Sequence, residues 1–379
     1  MNMDGWKIIS VDDACTITDC QHKTAPIVEY ITPYKMLRTS NIRNGKIDTI
    51  NVNYVTEETY KAWSVRGELN INDVILTREA PMGEVGIIRS EERFFLGQRM
   101  LQLKANQKLI QPKYLYLSLL SSYFQKQLAP LKGNGSIVAN IRIPELKKMR
   151  LLIPSKEEEQ QKIASILSTW DKAIELKEKL IEQKKEQKKG LMQKLLTGKI
   201  RLPGFEGEWK SYKLNQVLKI RHGKDQKKVQ KEDGCYPILG SGGQIGRTDE
   251  YLYNKESILI GRKGTIDRPV YMDEPFWTVD TLFYTEINEG FLPKYIYYIF
   301  NTIPWKQHNE ASGVPSLSAT TIGGIKVLVP DYLIQKAYSR ILSTADDEIH
   351  LLETHLELLK QQKKGLMQLL LTGKVRVKV

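Results

Sequence analysis

The sequence is poor in cysteine and lacks long hydrophobic runs. Its three cysteines, Cys15, Cys20 and Cys235, form no Cys-x-x-Cys pair, which argues against a disulfide framework or a zinc knuckle. No apolar stretch approaches the roughly 20 residues that a membrane-spanning helix needs. The first residues show no basic region followed by an apolar stretch, as a secretory signal would. We therefore expect a cytoplasmic protein with no membrane partner.

Motifs for catalysis are also missing. There is no Gly-x-x-x-x-Gly-Lys-[Ser/Thr] loop to bind nucleotide phosphates, which argues against a motor that hydrolyses nucleotides. The Asn-Pro-Pro-aromatic tetrad that receives a flipped base in methyltransferases is absent. The five histidines form no metal-ligand pattern. We expect a chain that is not an enzyme, with no catalytic residue, metal or cofactor of its own.

What the sequence does contain is basic charge in a folded composition. Its 379 residues exceed one ordinary domain, and 41% hydrophobic with 27% charged residues is typical of globular proteins. Lys plus Arg outnumber Asp plus Glu by 57 to 44, a net charge of +13. This excess favours a polyanionic partner such as nucleic acid, although ribosomal and membrane-surface proteins share it.

An internal duplication organises the chain. The sequence Gln-Lys-Lys-Gly-Leu-Met-Gln at residues 187–193 recurs unchanged at 362–368. At the same offset of 175 residues, Ile-Leu-Ser-Thr at 166–169 recurs at 341–344. The longer segments upstream share landmarks at drifting offsets, as insertions and deletions would produce. Two divergent domains therefore alternate with two near-identical segments.

The predicted boundaries follow this repeat. The four segments are a first divergent domain at 1–153, a first constant segment at 154–201, a second divergent domain at 202–329, and a second constant segment at 330–379. Proline and glycine at 202–208 indicate the linker between the halves.

Both constant segments carry the apolar repeat of a long helix that packs against a partner. Apolar residues recur at alternating steps of four and three. The predicted helix-pairing seam consists of Ile163, Leu167, Trp170, Ile174, Ile181, Leu191 and Leu195 in the first segment, and of Leu342, Ile349, Leu352, Leu356, Leu359, Leu366 and Leu370 in the second.

About 40 residues make a helix roughly 60 Å long, too apolar on one side to stand alone. The simplest pairing is an antiparallel coiled coil within the chain, which gives a pseudo-two-fold molecule. The alternatives are that each helix folds back on its own domain or pairs with another chain.

Gly190 and Gly365 occupy equivalent mid-helix positions, where each costs about 1 kcal/mol relative to alanine. They indicate close helix approach or a kink, unless duplication simply copied an indifferent residue.

The divergent domains alternate short β-like runs with turns. Runs at 73–77 and 85–89 correspond to runs at 257–260 and 269–272. We predict a mixed α/β domain in each half and an α+β chain overall.

Basic turns with glycine follow these runs, at 78–83 and 261–264. Such turns can present a guanidinium group to a phosphate or to the edge of guanine. The glycine-rich segment 240–246 misses the dinucleotide fingerprint, so we interpret it as a flexible polar loop. Loops at 133–136 and 312–318 combine small polar residues with nearby basic ones, which suits base contact and ordinary turns equally well.

The alternation of divergent domains with repeated helices resembles the specificity subunit of type I restriction-modification enzymes. The repeated Gly-Leu-Met-Gln run, ending in Leu-Leu-Thr-Gly-Lys, is the specific part of this resemblance. Residues 37–42, 258–262 and 315–320 are similar to that family's target-recognition domains.

The resemblance implies that each target-recognition domain reads one half of a split, asymmetric site in double-stranded DNA. It implies that the paired helices set the spacing and dock two methyltransferase subunits. Restriction and translocase subunits would join them. S-adenosylmethionine, ATP and Mg²⁺ would be bound by those partners, which carry adenine methylation and ATP-dependent cleavage, and by none of this chain's residues.

The contacts to DNA cannot be transferred from the family residue by residue, because recognition domains vary. Our candidates are Arg78, Arg99, Arg142, Gln244, Arg262 and Lys263. The physical model for these contacts is an arginine side chain that donates two hydrogen bonds to the edge of one guanine. Two other hypotheses are a self-contained restriction-modification enzyme, disfavoured by the missing motifs, and a coiled-coil scaffold for which the charge is incidental.

Overall fold

The computed structural model describes residues 5–132 and 140–379. The loop predicted at 133–136 therefore lies outside the described residues. The chain forms two compact units, Met1–Leu176 with Leu356–Val379, and Lys177–His355. Each unit contains one α/β domain and a stretch of each of two long helices. The four-segment division above follows the sequence repeat rather than compactness, and it stays a prediction.

The first unit builds its domain from short strands in small sheets. Its strands are β1 (Trp6–Ser10), β2 (Cys15–Asp19), β3 (Tyr34–Leu37), β4 (Ile42–Arg43), β5 (Lys46–Ile47), β6 (Asn53–Tyr54), β7 (Val74–Thr77), β8 (Val85–Ile87), β9 (Arg93–Leu96), β10 (Met100–Ala105) and β11 (Arg150–Pro154). Its helices are α1 (Val11–Ala14), α2 (Glu57–Trp63), α3 (Pro112–Leu120), α4 (Ser122–Leu128) and α5 (Ile143–Lys148). Strands β2, β10, β7 and β8 form, in that order, an antiparallel four-stranded sheet. Strands β6, β3 and β9 form a second sheet, in which β3 and β9 are parallel.

The second unit repeats this plan with one different sheet. Its strands are β12 (Trp209–Lys213), β13 (Leu218–His222), β14 (Gln230–Lys231), β15 (Tyr236–Gly240), β16 (Gly243–Thr248), β17 (Ser257–Gly261), β18 (Val270–Met272), β19 (Trp277–Thr278), β20 (Leu282–Ile287) and β21 (Lys326–Pro330). Its short helices are α7 (Leu214–Val217), α8 (Pro293–Phe300) and α9 (Ala319–Gly324). Strands β13, β20, β17 and β18 correspond to β2, β10, β7 and β8, whereas β14, β16, β15 and β19 form a sheet of their own.

The duplication extends through the divergent domains. In both units the first strand pairs with the last in a five-residue antiparallel ladder. Trp6 lies opposite Pro154, and Trp209 lies opposite Pro330. The two domains therefore share a backbone framework, although few of their residues are identical.

The constant segments form the long helices α6 (Glu157–Leu195) and α10 (Tyr332–Leu370), each 39 residues long. The periodicity predicted helices of this length. None of the helices in the described part of the chain has the length and apolar character needed to cross a membrane.

Within the first unit, α6 runs antiparallel to α10 and the residues that follow it. Lys363 donates a hydrogen bond to Asp171 at 2.6 Å. Arg376 donates two hydrogen bonds to Glu159, at 2.6 and 2.7 Å. Residue numbers rise along one partner as they fall along the other, so the two segments run in opposite directions.

The second unit pairs the other ends of the same helices in the same way. Lys188 donates to Asp346, and Lys185 forms an ion pair with Glu353 at 2.8 Å. Lys188 with Asp346 is the counterpart of Lys363 with Asp171, because both residues shift by the 175-residue offset of the repeat. The predicted antiparallel pairing within the chain is thus confirmed in each unit.

The apolar faces of the long helices also belong to the domain cores. In the first unit Ile163 of α6 and Leu370 of α10 lie in one buried cluster with Leu115 of α3. In the second, Leu195 and Leu342 lie in a cluster with the strands and α8. Pairing with the other helix and packing on a domain, posed above as alternatives, therefore occur together.

The predicted seam residues all avoid solvent. Those that are buried are Ile163, Leu167, Ile174, Ile181, Leu195, Leu342, Ile349, Leu356 and Leu370. Those that are half-buried are Trp170, Leu191, Leu352, Leu359 and Leu366. Which of them contact the opposite helix stays a prediction.

The structure excludes one of the explanations considered for the mid-helix glycines, a close approach of the helices. A Cβ atom built on Gly190 or Gly365 would meet nothing within 4 Å. Neither residue marks a close helix approach. Glycine is required instead at Gly373, which follows α10 with φ of +68°. A Cβ there would lie 3.1 Å from the ring of Trp6.

Gly365→Ala should raise the free energy of unfolding by about 1 kcal/mol, since alanine restricts the unfolded chain and its methyl group has room. The control Gly373→Ala should be destabilising, because it forces an alanine into the left-handed region against an indole. Urea unfolding of the full chain, followed by circular dichroism, checks both. Destabilisation by Gly365→Ala would show that the helix surface is crowded after all.

Candidate nucleic-acid interface

Three loops of the first unit meet at Arg78, directly after β7. The backbone N–H of Arg78 donates to the carbonyl of Arg99 in the turn between β9 and β10, at 2.8 Å. The N–H of Ile141, just before α5, donates to the carbonyl of Arg78 at 3.1 Å. We call residues 78–83, 97–99 and 140–142 the first loop cluster. It brings together the three candidate arginines of this domain, since Arg142 is the next residue.

The second unit builds the same junction at Arg262, directly after β17. The N–H of Arg262 donates to the carbonyl of Thr281 at 2.8 Å, and the N–H of Leu317 donates to the carbonyl of Arg262 at 2.9 Å. Lys263 forms an isolated β-bridge with Ser316. We call residues 261–264, 278–281 and 315–318 the second loop cluster.

The hairpin between β15 and β16 lies beside the second loop cluster. The hydroxyl of Ser241 is 3.2 Å from the position of a Cβ on Gly264, and the N–H of Val279 donates to the carbonyl of Leu239 at 3.0 Å. Gln244 is exposed on β16 of this hairpin. The segment interpreted as a flexible polar loop is therefore mostly paired strand, with Ser241 and Gly242 at the turn.

Arg78 is held inside the first loop cluster. Its guanidinium group donates to both carboxylate oxygens of Asp19, at 3.0 and 2.9 Å, and to the carbonyl of Ile141 at 3.1 Å. Its side chain is only 13% exposed. The structure thus gives Arg78 a role in joining β2 to two loops, and a contact of this side chain with DNA stays a prediction.

Arg99 and Arg142 are more accessible. The Arg99 side chain is 56% exposed and lies 3.1 Å from a carboxylate oxygen of Glu79. Its φ of +66° is unusual for a residue with a side chain. Arg142 is exposed at the N-terminal end of α5. The structure leaves both as candidates for contact with a ligand.

In the second loop cluster, Arg262 is partly engaged and Lys263 is exposed. The guanidinium group of Arg262 donates to the carbonyl of Asp280 at 3.3 Å and lies 3.8 Å from its carboxylate. In the neighbouring loop, Glu310 accepts hydrogen bonds from the hydroxyl groups of Ser318 and Thr321. These bonds lower the pKa of the Glu310 carboxyl group and tie residue 310 to the start of α9.

The sequence reasoning missed a basic loop that joins the second cluster. The N–H of Lys224, after β13, donates to the carbonyl of Thr278 at 2.8 Å. Lys224, Lys227 and Lys228 are exposed. The signal was a basic turn with glycine at 223–228, of the same kind as the turns after β7 and β17.

The first unit has a counterpart after β2. The side chain of Gln98 donates to the carbonyl of His22 at 3.2 Å and to the hydroxyl of Thr24 at 3.3 Å. His22 and Lys23 are exposed. In both units, then, the loop after the edge strand of the four-stranded sheet lies at the junction.

These clusters are suited to binding rather than to catalysis. They combine exposed guanidinium, ammonium and amide groups, which hydrogen-bond phosphates and base edges. Within residues 5–132 and 140–379, no group of three or more His, Cys, Asp or Glu side chains could hold a metal ion.

The chain is similar to a known family over most of its length. Residues 3–185 and 206–361 match the family described as type I restriction modification DNA specificity domain. The two matches correspond to the two halves of the duplication.

Two proteins of Methanocaldococcus jannaschii are similar over nearly their whole length. The putative type I restriction enzyme MjaX specificity subunit is 28% identical, with 91% of this chain and 88% of that protein covered. The type I restriction enzyme MjaVIII specificity subunit is 26% identical, with coverage of 98% and 93%.

Solved structures share the fold. The S subunit of a type I restriction-modification system from M. genitalium superposes with a TM-score of 0.62 at 21% identity, covering 96% of both chains. A chain from a study of complex assembly and conformational transition of the type I R-M system gives the same TM-score of 0.62 at 15% identity, covering 98% of both.

Arg78→Ala should lower the free energy of unfolding by about 2–3 kcal/mol, because the half-buried carboxylate of Asp19 loses both hydrogen bonds from the guanidinium group and, among the residues that the structure describes, keeps only the exposed His22 as a partner. Arg142→Ala should change stability by less than about 0.5 kcal/mol and should weaken binding to duplex DNA. Thermal unfolding and fluorescence anisotropy measure the two effects. If Arg78→Ala were as stable as the parent yet lost DNA affinity, Arg78 would be a contact residue instead of an internal anchor.

Proposed function

Because the chain belongs to the specificity-subunit family of type I restriction-modification enzymes, we propose that each loop cluster reads one half of a bipartite, asymmetric DNA site. A specificity subunit with two recognition domains is non-catalytic, so its activity is selective binding. The observation that carries the proposal is the loop junction itself, which the chain builds twice from the same main-chain hydrogen bonds.

The two junctions present different side chains, which supports an asymmetric site. Arg78 corresponds to Arg262, because each forms the same pair of main-chain bonds. By those bonds Arg99 corresponds to Thr281, and the residue after Ile141, Arg142, corresponds to Ser318. An arginine reads guanine or phosphate, whereas threonine and serine offer shorter and less selective contacts. Different side chains on the same backbone framework recognise different base sequences.

The long helices set the spacing between the half-sites and dock two methyltransferase subunits in this proposal. The residues that both copies repeat unchanged include exposed ones, namely Gln187, Lys189, Gln193, Gln362, Lys364 and Gln368. Core packing does not require these side chains to be identical. Their repetition supports a surface that binds the same partner twice.

Catalysis resides in the partners under this proposal. The methyltransferase subunits bind S-adenosylmethionine and methylate adenine, and the restriction and translocase subunits use ATP and Mg²⁺ to cleave double-stranded DNA. The complex acts in the cytoplasm.

Methylated adenines mapped across the host genome, with the gene intact and deleted, identify the site. One split motif with two different halves should disappear on deletion. Exchanging residues 209–329 for the same segment of another family member should then change one half of the motif and leave the other. Loss of a continuous motif, or of none, would contradict the proposal.

Lys263→Ala should weaken DNA binding by the isolated chain and reduce the slope of log affinity against log salt by about 1, the loss expected for one phosphate contact. Lys255→Ala is the matched control. It removes the same charge from an exposed position at the other end of β17, and it should change neither quantity. Equal effects of the two variants would mean that net charge, rather than the second loop cluster, binds DNA.

A further inference from the structure

A buried glutamine at the start of α6 links the helix to the first recognition domain. Gln160 is 2% exposed. Its side-chain oxygen accepts a hydrogen bond from the N–H of Gln111 at 2.9 Å. Its amide nitrogen donates to the carbonyls of Leu109 at 3.1 Å and Pro154 at 3.0 Å. Both amide protons and the oxygen are therefore used.

Gln335 makes the same three bonds in the second unit and is also 2% exposed. Its side-chain oxygen accepts from the N–H of Leu292 at 2.8 Å. Its nitrogen donates to the carbonyls of Gly290 at 3.3 Å and Pro330 at 2.9 Å. Gln160 and Gln335 are separated by the repeat offset, so the two arrangements correspond atom for atom.

Each glutamine joins three parts of its unit. Gln111 and Leu292 precede the first turns of α3 and α8, and Pro154 and Pro330 end the last strands of the two domains. The glutamine side chain leaves the first turns of the long helix and bonds to both parts. It therefore fixes where the helix starts relative to the domain.

All six bonds go to main-chain atoms. The side chains that flank the glutamines differ between the copies, with Leu109 in place of Gly290 and Gln111 in place of Leu292. Main-chain partners persist through such changes, so both copies could keep the glutamine while their neighbours diverged. Apolar contacts are non-directional, whereas hydrogen bonds from a buried amide fix an orientation.

We propose that Gln160 and Gln335 are positioning residues that hold each recognition domain at a fixed orientation on its long helix, and so limit the half-site spacing that the protein accepts. This inference rests on the function proposed above. One added base pair moves a half-site by about 3.4 Å and rotates it by roughly 35°. A firmly held domain cannot follow that displacement, whereas a loosened domain can.

The test uses the complete complex with its methyltransferase and DNA substrates with the native spacer or with one base pair more or fewer. Gln160→Met keeps the length of the side chain and removes all three bonds. We expect the ratio of methylation rates, native over altered spacing, to fall about tenfold, which corresponds to about 1.4 kcal/mol. The rate on the native spacing should fall by less than about threefold.

The matched control is Gln161→Met on the neighbouring exposed residue, whose amide donates to Glu157 at 2.8 Å. It should leave the ratio unchanged. Gln335→Met repeats the test in the second unit. It replaces Gln160→Met as the test if that variant does not fold. If the variant that folds loses rate equally at every spacing, the glutamine is merely structural and the inference is wrong. A wild-type complex that methylates no split site would instead refute the proposed function.

Discussion

One packing constraint underlies the structure: two copies of the same amphipathic helix pair in opposite directions. Both helices carry a lysine and an aspartate at equivalent positions, so parallel pairing in register would place Lys188 beside Lys363 and Asp171 beside Asp346. Antiparallel pairing places each aspartate beside the lysine of the other copy. Ion pairs at such partly exposed positions contribute little net energy, whereas like charges repel. These pairs therefore select direction and register more than they stabilise the helices.

The same constraint ties each domain to both helices. Because the helix ends enter the domain cores, a domain packs on the start of one helix and on the end of the other. A tryptophan of the first strand of each domain packs against the glycine that follows a long helix, Trp6 against Gly373 and Trp209 against Gly198. A left-handed glycine is needed at both contacts. This explains why the glycine of the Thr-Gly-Lys sequence is repeated after each helix.

The sequence could predict what depends on local pattern. The periodicity of apolar residues predicts the long helices, and the identical segments at one offset reveal the duplication. Glycine and basic residues mark the loops after β7 and β17. It could not predict which candidate arginine is held internally, because Asp19 is 59 residues from Arg78 in the chain. The bonds of Gln160 escaped for the same reason, since Gln111 and Leu109 are 49 and 51 residues away in the chain.

Main-chain hydrogen bonds explain how two recognition domains can share one backbone framework and still carry different side chains. The loop junctions form through backbone atoms of Arg78 and Arg99 in one unit and of Arg262 and Thr281 in the other. Gln160 and Gln335 likewise bond only to backbone atoms. Every residue except proline supplies the same backbone donor and acceptor, so a substitution in a loop leaves these bonds intact. Side chains at the loop clusters can therefore differ between the two domains, while the backbone framework that positions them stays the same.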